Sequence, residues 1–160
     1  MEEVKVVDKF LSVGKLEEVY KYTSNIEWVV QRSDNSSNIS FLMHNVIDEY
    51  YTKKLFKKVK KQLDIDVKLE RVYFNGQNCG REGKIHKDGC DLTALIYISE
   101  YKIGWGGFTQ VSHPDGRQDI IEPVQGRLVL FNGNHPHKGF SYAYQECPMR
   151  INLAYKMNFK

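Results

Sequence analysis

No stretch of this 160-residue sequence approaches the roughly 18 consecutive apolar residues that a membrane-spanning helix needs. Its first residues, Met1-Glu2-Glu3-Val4-Lys5, lack the basic start and apolar run of a secretory signal. Together these absences set the expectation of a cytoplasmic protein with no membrane partner. Cysteine is scarce: Cys79, Cys90 and Cys147 cannot all pair, and none stands in a Cys-x-x-Cys unit. The three read as reduced thiols, which argues against a disulfide framework and a dithiol or compact zinc site. No repeat of about 20 to 50 residues and no low-complexity linker divides the chain. Excess charge is missing too, since 23 basic against 20 acidic side chains leave +3. With 41% hydrophobic and 12% aromatic residues the chain can bury a core, and residues 1–160 read as one domain.

What is present changes character near Asp64. Before it, Leu16 to Tyr22 and Val46 to Leu63 have helical spacing, and Ile47, Tyr51, Leu55, Val59 and Leu63 fall every four residues on one face. Ile26 to Val30 reads as a short strand and Ser33 to Asn38 as a loop. Residues 1–63 are therefore expected to be a helical support region. After Asp64 come strand-like runs at Val67–Phe74, Leu92–Ile98 and Arg127–Phe131. In Met149 to Phe159 the odd positions Met149, Ile151, Leu153, Tyr155, Met157 and Phe159 are apolar. The even positions are polar apart from Ala154, so the last strand has two distinct faces. The expected fold is mainly β, a sandwich or jelly-roll barrel over residues 64–160 buttressed by N-terminal helices.

Chemistry concentrates at His86-Lys87-Asp88, where side chains two apart on an extended segment point to the same side and can converge on a metal. The spacing alone is weak, because it recurs at His113-Pro114-Asp115. There the following Gly116 makes a strong turn sequence, which places His113 and Asp115 on a solvent-exposed hairpin tip. A third ligand has three candidates, His44 in the helical half and His135 or His137 after the Arg127–Phe131 strand. Two histidines and a carboxylate leave open positions, the arrangement associated with non-haem Fe(II) oxygenases. Zinc competes, but its catalytic sites use a more closed ligand set. Arg150, on the polar face of the last strand, can face a barrel interior and grip a carboxylate through two parallel hydrogen bonds.

At these residues the sequence resembles the Fe(II)- and 2-oxoglutarate-dependent oxygenases, particularly the prolyl 4-hydroxylase-like branch and its small viral members. The resemblance runs from about Val67 to Phe159 through Asn75-Gly76-Gln77-Asn78-Cys79-Gly80, His86-x-Asp88 and Trp105-Gly106-Gly107-Phe108-Thr109. It implies a double-stranded β-helix fold, with His86, Asp88 and His137 as catalytic iron ligands. His137 is preferred to His135 because Phe131, five residues, then histidine matches the family's spacing. Arg150 would bind the distal carboxylate of 2-oxoglutarate, with Tyr97 and Tyr73 lining that pocket. The implied reaction consumes 2-oxoglutarate and dioxygen, releases succinate and CO2, and hydroxylates a C–H bond, most readily in a peptidyl (prolyl-type) substrate. One alternative is demethylation of a nucleic-acid base: Arg150-x-Asn152-x-x-x-Lys156 resembles the Arg-x-Asn-x-x-x-Arg strand of those enzymes, and Lys53, Lys54, Lys57, Lys58, Lys60 and Lys61 offer a basic patch. The other is a non-enzymatic jelly-roll binding module.

Overall fold

Even and odd residues of the C-terminal segment part to opposite sides of a central strand, and the rest of the molecule is arranged on those two sides. In a computed structural model, which describes residues 3–32 and 40–160, ten strands lie in two antiparallel sheets. In chain order the strands are β1 (Lys5–Val7), β2 (Val29–Arg32), β3 (Ser40–Asn45), β4 (Val67–Gln77) and β5 (Leu92–Tyr97). There follow β6 (Thr109–Ser112), β7 (Gln118–Ile121), β8 (Leu128–Asn132), β9 (His137–Gly139) and β10 (Arg150–Phe159). The large sheet has the order β1-β8-β5-β10-β4-β3-β2, and the small one β7-β6-β9.

The alternation expected of the last strand is realised with both faces buried. Ile151, Leu153, Tyr155 and Met157 enter a core closed by Leu16 and Val19 of helix α1 (Val13–Thr23) and by Tyr51, Leu55 and Val59. On the other side Ala154 joins a second core, where Leu95, Val129 and Phe131 of the large sheet meet Val111 and Ile121 of the small one. Arg150, Asn152 and Lys156, on the same side as Ala154, line a cavity.

The N-terminal region departs from the helical expectation. Besides its helices it supplies β1, β2 and β3 to the large sheet. The second helical stretch starts later than its apolar spacing suggests: Asp48 accepts the backbone N–H of Tyr50 through its carboxylate (2.7 Å) and begins the turn there. Ile47 is left 91% exposed rather than in the core. Tyr50–Leu55 is then wound as a π-helix before α2 (Phe56–Lys60). β4 also runs further than expected, carrying Asn75, Gly76 and Gln77 in the strand. A side chain at Gly76 would meet Met149 Sδ at 2.7 Å, which is why glycine suits the strand there. The sequence-based loop Ser33 to Asn38 lies outside the described residues.

Asp66, just before β4, accepts ion pairs from Lys60 (2.6 Å) and Lys160 (2.7 Å) and so ties α2 and the chain end to β4. Hydrogen bonds from Lys160 and then Lys60 hold its carboxyl down at about 2. A folded-state value below the unfolded one adds stability above the ordinary carboxylate range, and that contribution fades as pH falls toward 2. Asp66→Asn is therefore expected to lower the urea midpoint at pH 7 and to match the parent near pH 2, checked by denaturation at both values.

Candidate metal centre and its cavity

His86 and Asp88 lie on the segment between β4 and β5, and His137 opens β9. Backbone bonds hold the two segments together. His86 N–H donates to the His137 carbonyl (3.0 Å), His137 N–H donates back to His86 (2.9 Å), and Asp88 N–H donates to Gly133 (2.8 Å). Gly133 has no room for a side chain, since a Cβ there would stand 2.5 Å from the Cys90 carbonyl oxygen. The order in which strands pair thus joins residues about 50 positions apart in sequence, and the histidine rings sit 4.4 Å apart between centroids.

One ligand atom from each of His86, Asp88 and His137 falls within 4.8 Å of the other two. His86 Nδ1 is 2.9 Å from the Lys84 carbonyl, and His137 Nδ1 is 2.8 Å from the His135 carbonyl. A carbonyl only accepts, so each Nδ1 carries the proton and each Nε2 is turned toward Asp88. His86 Nε2 lies 3.5 Å from Asp88 Oδ1, and His137 Nε2 3.2 Å from Oδ2. Thr93 Oγ1 also donates to Oδ2 (2.5 Å), as does the ammonium of Lys156. Burial by itself would raise the Asp88 carboxyl, but the adjacent His137 and His86 rings and the Lys156 charge outweigh it and hold Asp88 far below the usual range. The bond to Asp88 raises the His86 imidazole, with burial opposing it. Two imidazole nitrogens and one carboxylate, each fixed by a further hydrogen bond, form a donor set that fits a divalent first-row metal ion.

The same cavity, about 490 Å³, reaches Arg150. This guanidinium is 1% exposed. Its Nε–H donates to the Gly107 carbonyl (2.6 Å), Nη1 to Gln77 Oε1 (2.8 Å) and Nη2 to Thr109 Oγ1 (3.0 Å). Those bonds use three of its five N–H donors and leave one on each terminal nitrogen. Among the described residues no carboxylate pairs with it. Thr109 Oγ1 also accepts from Tyr97 (2.7 Å), so both its lone pairs are taken and its own O–H is left to donate.

Of the residues singled out by sequence, His86, Asp88, His137, Arg150 and Tyr73 line this one cavity. Tyr97 sits behind it, buried, with Arg150 over its ring at 5.3 Å. Leu95 lines the cavity, and Phe131 packs edge-on against His137 with centroids 4.8 Å apart. Two of the three candidate third ligands turn elsewhere, and one expectation fails. His44 is on strand β3, where Met43 faces the cavity and His44 takes the opposite side with Nδ1 2.8 Å from the Glu27 carbonyl. His135 supplies a carbonyl to His137 but turns its own ring to His113, centroids 5.1 Å apart. His113 is no exposed tip: the turn forms beyond it, while the ring is 7% exposed with Nε2 2.7 Å from Asp119. The lysine-rich helix packs on the core opposite the cavity, through Phe56 stacked on Tyr155, and none of its residues line the site.

Sequence reasoning gave no site role to Gln77 or Thr109, and named Asn152 and Lys156 only within a motif. The alternation of β10 already placed Asn152 and Lys156 on the side of Arg150. Only the cross-strand pairing of Arg150 with Gln77 brings the glutamine in.

No protein-family model and no curated protein matches the sequence. Solved structures do match. A prolyl-4-hydroxylase from Pseudomonas putida superposes with a TM-score of 0.73 at 18% identity, covering 98% of this chain and 93% of that one. The chain has the fold of the 2-oxoglutarate and iron(II) oxygenases. The viral collagen prolyl hydroxylase of Paramecium bursaria chlorella virus 1, in its 2-oxoglutarate complex, gives 0.70 at 15% identity over 96% of this chain and 94% of that one. A Trichoplax adhaerens prolyl hydroxylase, in complex with a hypoxia inducible factor peptide fragment, gives 0.75 at 15% identity over 99% and 84%.

Proposed function

We propose that this chain is an Fe(II)- and 2-oxoglutarate-dependent dioxygenase that hydroxylates a C–H bond, most readily in a peptidyl (prolyl-type) substrate. The observation that carries the reading is Arg150, a buried cation without a carboxylate partner among the described residues, in one cavity with the His86, Asp88 and His137 donors. Leaving a buried charge uncompensated is costly, and a dicarboxylate co-substrate would supply the missing partner. The two spare N–H groups of Arg150 and the free O–H of Thr109 suit one of its carboxylates. Iron(II), the 2-oxo acid and dioxygen would supply the oxidising chemistry, with release of succinate and CO2. The protein's part is to hold the ligands and shield the site: Leu95 gives it an apolar wall, and Phe131 packs behind the His137 ring. The reading takes residues 1–160 as one domain on a double-stranded β-helix (jelly-roll) barrel, acting in the cytoplasm.

Base demethylation has less support, because the lysine-rich patch lies behind the sheet that floors the cavity. A non-enzymatic module does not account for an intact donor set beside an unpaired buried arginine. Under 2-oxoglutarate and Fe(II), mass spectrometry of candidate peptides is expected to show a gain of one oxygen matched by succinate. Aldehyde release from methylated oligonucleotides would favour the demethylase instead. A protein that binds neither metal nor 2-oxoglutarate would sink the oxygenase reading.

A further inference from the structure

The cavity does not stop at the metal ligands. Its floor continues over β4 and β3 to β2, with Tyr73, Met43, Phe41 and Gln31 along the way, so it forms a trough from the triad to an edge of the large sheet. Its charge is lopsided. Arg71, Lys84, Lys87, Arg150 and Lys156 line it, and among the described residues Asp88 is the one carboxylate that does. Lys156 is committed to Asp88 and Thr93. Lys84 is itself engaged. Arg150 lies at the deep end and is assigned above to the co-substrate.

Two cations remain. Lys87 is exposed and makes no hydrogen bond or ion pair among the described residues. Arg71 is exposed, makes no hydrogen bond or ion pair among the described residues, and lies over the face of Tyr73, 4.8 Å from its centroid. Its placement is unfavourable in isolation, because β4 and β10 set Arg71 directly opposite Lys156, and like charges in that position repel. The adjacent carboxylate, Glu70, gives no relief. A register shift in the ladder falls beside it, and Glu70 accepts from Asn158 Nδ2 (3.0 Å) instead. Cations along a cleft with low-dielectric walls concentrate a positive potential there. A bound divalent metal and the dianion of 2-oxoglutarate cancel each other, so the excess remains for the second substrate to meet.

We propose that this trough receives an acidic peptide segment, with a substrate carboxylate held by the Arg71 guanidinium and a second acidic group met by Lys87. The proposal rests on the oxygenase reading for what happens at the metal, not for the charge of the trough. A planar guanidinium suits the two oxygens of a carboxylate. Peptide is favoured over nucleic acid because, among the described residues and apart from the candidate metal ligands, the trough presents two aromatic rings, Phe41 and Tyr73. Tyr73 is already taken by cations, with Arg71 at 4.8 Å and Lys156 at 5.7 Å from its centroid, so it is poorly free to stack a base.

The test is fluorescence anisotropy under argon with the whole protein, Fe(II) and 2-oxoglutarate. The probes are labelled proline-centred peptides of one length flanked by glutamate, by glycine and serine, or by lysine, and a labelled oligothymidylate. The glutamate peptide is expected to bind at least about tenfold more tightly than the neutral one. Arg71→Glu should remove that preference, Arg71→Lys should keep part of it, and the double variant Arg71→Glu/Lys87→Glu should favour the lysine peptide. Calorimetric affinity for 2-oxoglutarate should stay unchanged throughout. Equal binding of glutamate and neutral peptides, a preference that survives the double variant, or tighter binding of oligothymidylate would overturn the proposal. A charge preference found in a protein that does not bind 2-oxoglutarate would leave the basic trough standing and strike the oxygenase reading alone.

Discussion

Alanine at His137 is expected to abolish 2-oxoglutarate-dependent succinate formation and to weaken Fe(II) binding by more than about 100-fold, beyond the range typical of residues that only support a ligand. Alanine at His135 should leave both close to the parent. The two positions share one short segment, and the structure separates them by what each contributes. His137 offers its Nε2 to the group formed with His86 and Asp88, whereas His135 offers the backbone carbonyl that orients the His137 ring. That carbonyl survives substitution by alanine. Loss of the His135 ring does remove a buried contact with His113, so its signature is a lower melting temperature with metal binding retained. Anaerobic metal titration beside thermal melts distinguishes the two variants, and the opposite pattern would reassign the third ligand.

Methionine at Arg150 should leave metal uptake intact while weakening 2-oxoglutarate binding by two orders of magnitude or more. The arithmetic follows from the spare donors: two charge-assisted hydrogen bonds at roughly 1.5–3 kcal/mol each, with about 1.4 kcal/mol per tenfold in affinity, give about 10²–10⁴. A stability loss accompanies it, because the Gly107 carbonyl and Gln77 Oε1 lose their donor in a buried place. Arg150→Lys restores the charge without the planar fork and should fall between the two. Calorimetry with 2-oxoglutarate, run beside metal titration, separates a carboxylate-binding role from a purely structural one, which would lower the melting point without this selective loss.

How legible this site was depends on the length scale of each signal. His86-x-Asp88 is local, and the alternation of Met149 to Phe159 is nearly so, which is why both read directly from the sequence. The choice of His137 rested on a resemblance, and the structure sets its Nε2 beside Asp88 where the ring of His135 turns away. Gln77 and Thr109 stood inside quoted motifs, but nothing local in those motifs tied either one to Arg150. Each gains meaning only when β4 and β6 deliver it to Arg150. His113 was misjudged for a related reason: Pro-Asp-Gly does report a turn, but the burial of the neighbouring histidine comes from His135 on a distant segment. Of the N-terminal strands, β2 was foreshadowed by the run Ile26 to Val30, whereas β1 is only three residues long and β3 finds its partner β4 further along the chain.

The two-sided burial of β10 also bears on how the protein reaches its native state. Because successive side chains alternate, a slip of one residue against β4 or β5 would drive Arg150, Asn152 and Lys156 into the apolar layer under the helices. It would also bring Ile151, Leu153 and Tyr155 to the cavity. Such a product would bury two uncompensated cations at once, while a slip of two would unmatch Arg150 from Gln77 across the ladder. The groups that give the cavity its chemistry therefore also reject misregistered assemblies during folding. Substitutions that make this face apolar would be expected to widen the set of pairings the strand tolerates, even where they leave the final fold more stable.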